Sequence, residues 1–170
     1  LWIALGIILG AVVFMGAGKP VVYFAMADPL GDENGYGDYQ YPSNPALRPY
    51  KGLFDITEFK VWAERPGELN IDTTFAKVTN PWQAPEGYIL QNLRVFIDTT
   101  PQQGWSVLPH PGAAVRFNPK YAWDVCLKIV GWGNSQLITL PDNKLHFQTL
   151  QTQLMSDQRT IRARAPTAKL

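Results

Sequence analysis

The chain has 170 residues, of which 46% are hydrophobic and 17% charged, and this is enough for one domain with a hydrophobic core. Its 15 basic and 14 acidic residues leave a net charge of +1, which excludes the strong positive field expected of a nucleic-acid-binding protein. The single cysteine, Cys126, excludes an intrachain disulfide, and its place among alternating apolar residues predicts a buried core thiol.

Residues 1–18 carry no charged side chain. Their apolar run of about fifteen residues matches the hydrophobic region of a signal peptide better than the roughly 20 residues of a membrane span. We therefore predict an exported protein whose folded domain covers residues 19–170, with cleavage after the small residues 16–18. Cleavage after Ala27 and an uncleaved membrane anchor are the alternatives.

Apolar residues then alternate with polar ones in segment after segment, a pattern that predicts half-buried strands. The first strand is expected from Val21, and the clearest others lie at 69–75, 93–97, 123–129, 145–147 and 161–165. A short helical turn is predicted at 150–155. The segments between the strands are rich in Pro, Gly, Asn and Asp, which form turns. Strands at this spacing without intervening helices predict an all-β antiparallel sandwich.

An acidic, glycine-rich run follows the first predicted strand, at residues 28–42. It holds Asp28, Asp32, Glu33 and Asp38 together with three glycines. Calcium binds six to eight oxygens, and glycines allow a backbone to turn tightly enough to offer several of them. The spacing is not that of an EF-hand loop. From composition alone, a solvated turn in which Asp and Asn cap backbone amides competes with a metal site.

Several sequence blocks occur in the order found in one known family. The run at 28–42 has the form D-P-x-G-D-D-x-G-x-G-x-Y-x-Y-P, with Glu33 in place of the second paired acid. It is followed by Phe-Asp-Ile at 54–56, Asn-Pro-Trp at 80–82, Val-Phe-Ile-Asp at 95–98, Ala-Trp-Asp at 122–124, Gly-Trp at 131–132 and Thr-Ile-Arg at 160–162. This series resembles the glucodextranase-type DOMON-like domain, the C-terminal binding module of glucodextranase.

The resemblance implies a jelly-roll-like β-sandwich related to family nine carbohydrate-binding modules, with catalysis in other domains. Such modules accompany extracellular glucan-acting enzymes or stand alone as exported proteins. The resemblance also implies structural calcium, with Asp28, Asp32 and Asp55 as ligands and Asp38 next. Because the family continues with further strands after the Thr-Ile-Arg block, we expect a domain truncated at its C-terminal end.

Glycoside hydrolysis requires two facing carboxyl groups, and no such pair stands out. Asp98 and Asp124 lie out of phase with apolar strand faces, which predicts that each faces solvent or binds a loop amide. We therefore predict no catalytic residues.

Flat aromatic side chains stack on sugar rings, and the chain has six Trp and seven Tyr. The loop aromatics are the candidate ligand-binding residues, and core packing or a structural loop anchor is the competing interpretation for each: Trp82, Trp105, Tyr39 and Tyr41. Trp62, Trp123 and Trp132 lie in or beside strands and are expected to be buried.

The sequence thus predicts a non-catalytic carbohydrate-binding or attachment module, extracellular or at the cell surface and stabilised by calcium. Its expected partner is an α-glucan or a cell-wall glycan, with membrane anchoring through residues 1–18 as a further option. The alternative is a structural or protein-interaction domain of an exported protein that binds no sugar. Oligomeric state is not predicted.

Overall fold

A computed structural model describes residues 19–33, 43–100, 103–109 and 116–169. The strands in this part of the chain are β1 (Val21–Ala27), β2 (Ile56–Ala63), β3 (Glu68–Phe75), β4 (Leu93–Ile97), β5 (Val125–Ile129), β6 (Gln136–Thr139), β7 (His146–Thr149), β8 (Gln151–Leu154) and β9 (Thr160–Pro166). Short 3-10 helices occupy Pro45–Tyr50, Pro119–Tyr121, Pro141–Asn143 and Thr167–Lys169.

The strands form two antiparallel sheets, one in the order β1-β2-β3-β9-β8 and the other in the order β4-β5-β6-β7. Every strand pair in both sheets is antiparallel. This confirms the predicted all-β antiparallel sandwich.

The core lies between the two sheets because alternate residues of each strand point inward. In β3, Ile71 and Phe75 are buried against the facing sheet. The buried residues of this cluster are Ile71, Phe75, Tyr88, Val125, Leu127, Ile129, Leu137, Leu150, Ile161, Ala163 and Ala165. Burying each large apolar side chain contributes about 1.5–3 kcal/mol.

The second sheet is covered on its other face as well. There Cys126 of β5 packs with Trp123 and Ile138 in a smaller cluster, over which Phe96 and Phe117 close. Cys126 is fully buried, as predicted. Burial raises the pKa of its thiol to about 12, although Arg94 acts in the opposite direction. The thiol is therefore protonated at neutral pH and is not a nucleophile.

β7 and β8 are one extended run that changes sheets at Leu150. β7 pairs with β6 in the second sheet, whereas β8 pairs with β9 in the first. Leu150 is buried at the crossing point, and its amide donates to the Ser135 carbonyl at 3.1 Å. The helical turn predicted at 150–155 is therefore wrong: the backbone bonds of this segment go to neighbouring strands.

β1 begins at Val21, where the sequence predicted the first strand. It is an edge strand, and its large apolar side chains are between 48% and 63% exposed. Residues 1–18, which carry the predicted signal peptide or anchor, lie outside the described part. Within the described residues, no helix is long and apolar enough to cross a membrane.

Candidate functional site

The carboxylates of Glu33 and Asp55 form hydrogen bonds between the start of the acidic run and residues 52–55, which precede β2. Asp55 is 3% exposed, and its Oδ2 accepts a hydrogen bond from the Gly31 amide at 2.7 Å. Both oxygens of Glu33 accept from the Gly52 amide, at 3.0 and 2.8 Å. Charged acceptors make these bonds stronger than neutral ones. Glu33, which departs from the family pattern, therefore has a structural role.

Two buried side-chain oxygens near this segment have no hydrogen-bond partner among the described residues. One is Oδ1 of Asp55, and the other is Oε1 of Gln91. Nε2 of Gln91 donates to the carbonyls of Leu53 and Lys77, at 3.0 and 3.4 Å, which fixes the orientation of its amide. Unpaired buried acceptors are costly. A cation or an ordered water would satisfy them.

The two other predicted calcium ligands that the structure describes, Asp28 and Asp32, do not form a metal-binding cluster with Asp55. Asp28 is half-buried at the end of β1, where its amide donates to the Thr57 carbonyl at 3.0 Å, and Asp32 is exposed. Asp38 lies outside the described residues. The described part of the chain contains no group of three or more His, Cys, Asp or Glu side chains suited to a metal ion. Calcium binding therefore stays a prediction.

A polar cleft of about 650 Å³ lies beside the end of β4, the start of β5 and the connection from β6 to β7. Asp124 accepts hydrogen bonds from the amide and the hydroxyl of Thr99, at 3.0 and 2.8 Å, which confirms that it binds a loop amide. Carboxylates, amides and hydroxyls together both donate to and accept from a polyhydroxylated ligand. The cleft is lined by Thr100, Gln103, Gly104, Asp124, Leu140, Asp142 and Asn143.

Trp105 supports one wall of this cleft. Its indole N–H donates to Oδ1 of Asn143 at 2.9 Å, and its ring meets the Trp123 ring edge-on, with the centroids 6.2 Å apart. Asp142 and Asn143 have φ values of 52° and 62°, in the left-handed region that Asp and Asn adopt more readily than other residues except glycine. The bond from Trp105 holds this pair in place. The half-buried Trp105 thus orients cleft residues.

Trp82 is 61% exposed on a loop that its neighbours hold rigid. Asn80 accepts from the Ala84 amide at 2.7 Å and donates to the Ala84 carbonyl at 2.8 Å. Trp123 is buried, as predicted, but the expectation that Trp132 is buried is wrong, because it is 50% exposed. Trp132 has a φ of 62°, where the chain turns outward after β5. The remaining predicted ligand residues, Tyr39 and Tyr41, lie outside the described residues.

A family model described as the C-terminal binding-module, SLH-like, of glucodextranase matches residues 23–170. Neither the comparison with curated proteins nor the comparison with solved structures gave a match. The matched region contains both sheets apart from the first two residues of β1, the polar cleft, and the loops of Trp82 and Trp132. The further relationship to family nine carbohydrate-binding modules stays a prediction.

Proposed function

Because the chain belongs to the family of the SLH-like C-terminal binding module of glucodextranase, we propose that it is a non-catalytic module that binds a polysaccharide. We place it outside the cell or at the cell surface. The apolar residues 1–18 and the family relationship to a glucan-acting enzyme support this location. An α-glucan or a cell-wall glycan is its proposed partner.

The polar cleft carries this proposal. It combines the carboxylates of Asp124 and Asp142 with the amides of Gln103 and Asn143 in one concave space. Small-ligand sites are concave spaces of several hundred Å³ in which placed polar groups orient the ligand, and here polar side chains make up most of the lining. A sugar unit offers hydroxyls that these groups bind in both donor and acceptor directions.

Replacing Asp124 by alanine is expected to weaken polysaccharide binding by about 10- to 100-fold, because a hydrogen bond to a charged group contributes about 1.5–3 kcal/mol. Native gels containing soluble starch, dextran or pullulan, run with calcium present, measure this as reduced retardation of the protein. Asp98→Ala is the matched control, because Asp98 is exposed and is not among the cleft-lining residues. A wild-type protein that none of these polysaccharides retards would contradict the function. A fully retained Asp124→Ala variant would place the site elsewhere.

We also propose that calcium stabilises the module by binding Oδ1 of Asp55. The support is that this buried oxygen has no hydrogen-bond partner among the described residues and that Asp55 is bonded to a run that holds Asp28, Asp32 and Asp38. Carboxylate and backbone oxygens of that run would complete the coordination.

Calcium at about 100 times its dissociation constant is expected to add about 2.7 kcal/mol to the free energy of unfolding. For a domain of this size that corresponds to a rise of roughly 5–10 °C in Tm. Thermal unfolding in calcium and in EGTA measures the difference. Asp55→Asn is expected to abolish the response and calcium uptake in equilibrium dialysis, while Asp98→Asn keeps both. Equal Tm values for the wild type in calcium and in EGTA would rule the site out.

A second candidate function is a protein-interaction domain without a sugar ligand. The exposed apolar edge strand β1 favours it, because unpaired, apolar edges pair readily with another strand. Next to β1, an apolar cleft of about 360 Å³ opens between Met26, Phe59 and Val95. Sedimentation velocity separates the two functions: association through β1 is independent of added polysaccharide, whereas glycan binding requires it.

A further inference from the structure

The side chain of Glu86 connects two loops, at 80–87 and 131–134, that lie at the opposite end of β5 from the polar cleft. Oε2 of Glu86 accepts from the Trp132 amide at 3.0 Å, and Oε1 accepts from the Gly133 amide at 2.5 Å. The carbonyl of Glu86 accepts from the Leu154 amide of β8 at 2.8 Å. The loop at 80–87 and the loop at 131–134 are therefore fixed to each other and to both sheets.

Trp132 is held in an unfavourable backbone conformation while its indole is half exposed. Its φ of 62° lies in the left-handed region, which costs a non-glycine residue roughly 1–2 kcal/mol. A carboxylate bonded to two successive amides offsets this cost. Gly131 permits the turn, because a Cβ there would lie 2.4 Å from the Tyr88 carbonyl oxygen. Strained backbone conformations are common at functional sites, and exposed apolar side chains are common at interaction sites. Trp132 combines both features.

The exposed surface of these loops carries two tryptophans and uncharged polar groups. Trp82 is 61% and Trp132 50% exposed, and Gln83 and Asn134 are exposed beside them. Glu86 is the one charged residue in the sequence of either loop, and both of its carboxylate oxygens are bonded to backbone amides. Aromatic faces flanked by amides and without free charge suit a neutral ligand with both apolar faces and hydroxyls.

We propose that Trp82 and Trp132 form a second polysaccharide-contact surface, separate from the polar cleft. Asp124 directly precedes β5 and Trp132 follows it, so roughly 17–20 Å of strand separates the two surfaces. This inference rests on the proposed function, because it assigns a second site for the same class of ligand. Two sites on one module bind a long polysaccharide more tightly than either site does alone.

The test compares four proteins in native gels that contain the polysaccharide retarding the wild type. They are the wild type, Asp124→Ala, the double variant Trp82→Ala/Trp132→Ala, and the combination of all three changes. We expect each of the two partial variants to bind at least ten-fold more weakly and the combined variant to lose retardation entirely. Tyr121→Ala is the matched control, because Tyr121 is 60% exposed but lies on neither loop. Circular dichroism melting curves verify that every variant is folded.

The outcomes distinguish this inference from the proposed function. A folded Trp82→Ala/Trp132→Ala variant that is retarded like the wild type overturns the second surface and leaves the function standing. The same holds if Tyr121→Ala weakens binding equally, since the effect is then not specific to these loops. If Asp124→Ala alone removes all retardation, the tryptophans bind no polysaccharide and the inference fails. If the wild type itself is not retarded, the proposed function has failed.

Discussion

Replacing Asp72 by alanine is expected to lower the free energy of unfolding by about 3–5 kcal/mol, because it leaves a partly buried Arg162 without its ionic partner. Asp72 lies on the outer face of β3, opposite Lys60 of β2 and Arg162 of β9. Its Oδ1 accepts from Nε of Arg162 at 2.7 Å, and its Oδ2 accepts from Nη2 at 2.9 Å. Oδ2 also accepts from the Trp62 indole at 2.9 Å.

The environment of this pair makes it stronger than an ordinary surface salt bridge. The side chains of Arg162 and Asp72 are 19% and 12% exposed, so water screens their attraction poorly. The Arg162 guanidinium also stacks over the Trp62 ring, 4.7 Å from its centroid. The hydrogen bond to Asp72 raises the pKa of Arg162, against the effect of burial. Because the folded-state pKa of Arg162 is raised, this contribution is not lost as the pH rises towards the ordinary arginine pKa.

Urea unfolding of Asp72→Ala, Arg162→Ala and the double variant measures the pair directly. Residues coupled in one network give non-additive losses of stability. The double variant is therefore expected to lose about 0.5–3 kcal/mol less than the sum of the losses of the two single variants. A loss below about 1 kcal/mol for Asp72→Ala, the value of an exposed pair, would contradict this account.

The strands that the sequence predicted are those with one apolar face against the core. In β3, β5 and β9 every second residue is buried between the sheets, so alternation identifies them. β2 was not among the predicted strands, because its outer face carries Trp62 and the apolar residues no longer mark a single side. β8 has the polar sequence Gln-Thr-Gln-Leu and forms by pairing with β9. Such a strand is specified by its partner and not by its own pattern.

Residues far apart in the sequence decided most of the candidate site. Trp132 was predicted to be buried because it follows an apolar strand, but the carboxylate of Glu86, 46 residues earlier, fixes its backbone in the outward turn. Arg162 was part of a family block with no assigned role, and its partner Asp72 is 90 residues away. The loop position of Trp82 was predicted, because Asn80 and Pro81 produce the loop locally, but its 61% exposure was not, because core packing was a competing interpretation of the sequence.

Replacing Gly104 by alanine is expected to lower the free energy of unfolding by about 2–5 kcal/mol and to abolish binding in the polar cleft. Gly104 has a φ of +100°, which costs any L-residue roughly 1–2 kcal/mol. An added Cβ would also lie 2.4 Å from the Trp123 carbonyl oxygen and 2.7 Å from its carbon. Overpacking of this kind costs about 1–3 kcal/mol more, because backbone atoms cannot rotate away.

The same collision would displace the residues that shape the cleft. Gly104 lines the cleft and directly precedes Trp105. Trp105 and Trp123 exchange two backbone hydrogen bonds, of 2.8 and 3.0 Å. Separating the two tryptophans moves the Trp105 indole, which bonds Asn143. Residues 142 and 143, which line the cleft, would move with it. Loss of binding in the cleft, seen as weaker retardation by polysaccharide, is therefore expected even where the variant remains folded.

Gly67→Ala is the matched control for this change. Gly67 has a φ of +93°, nearly that of Gly104, but an added Cβ would meet no atom within 4 Å. This control variant is expected to lose roughly 1–2 kcal/mol, the cost of the backbone conformation alone, and to bind polysaccharide like the wild type. The difference between the two variants in urea unfolding measures the collision at Trp123. Equal losses of stability, with sugar binding intact in both, would show that the pairing of Trp105 with Trp123 does not position the cleft.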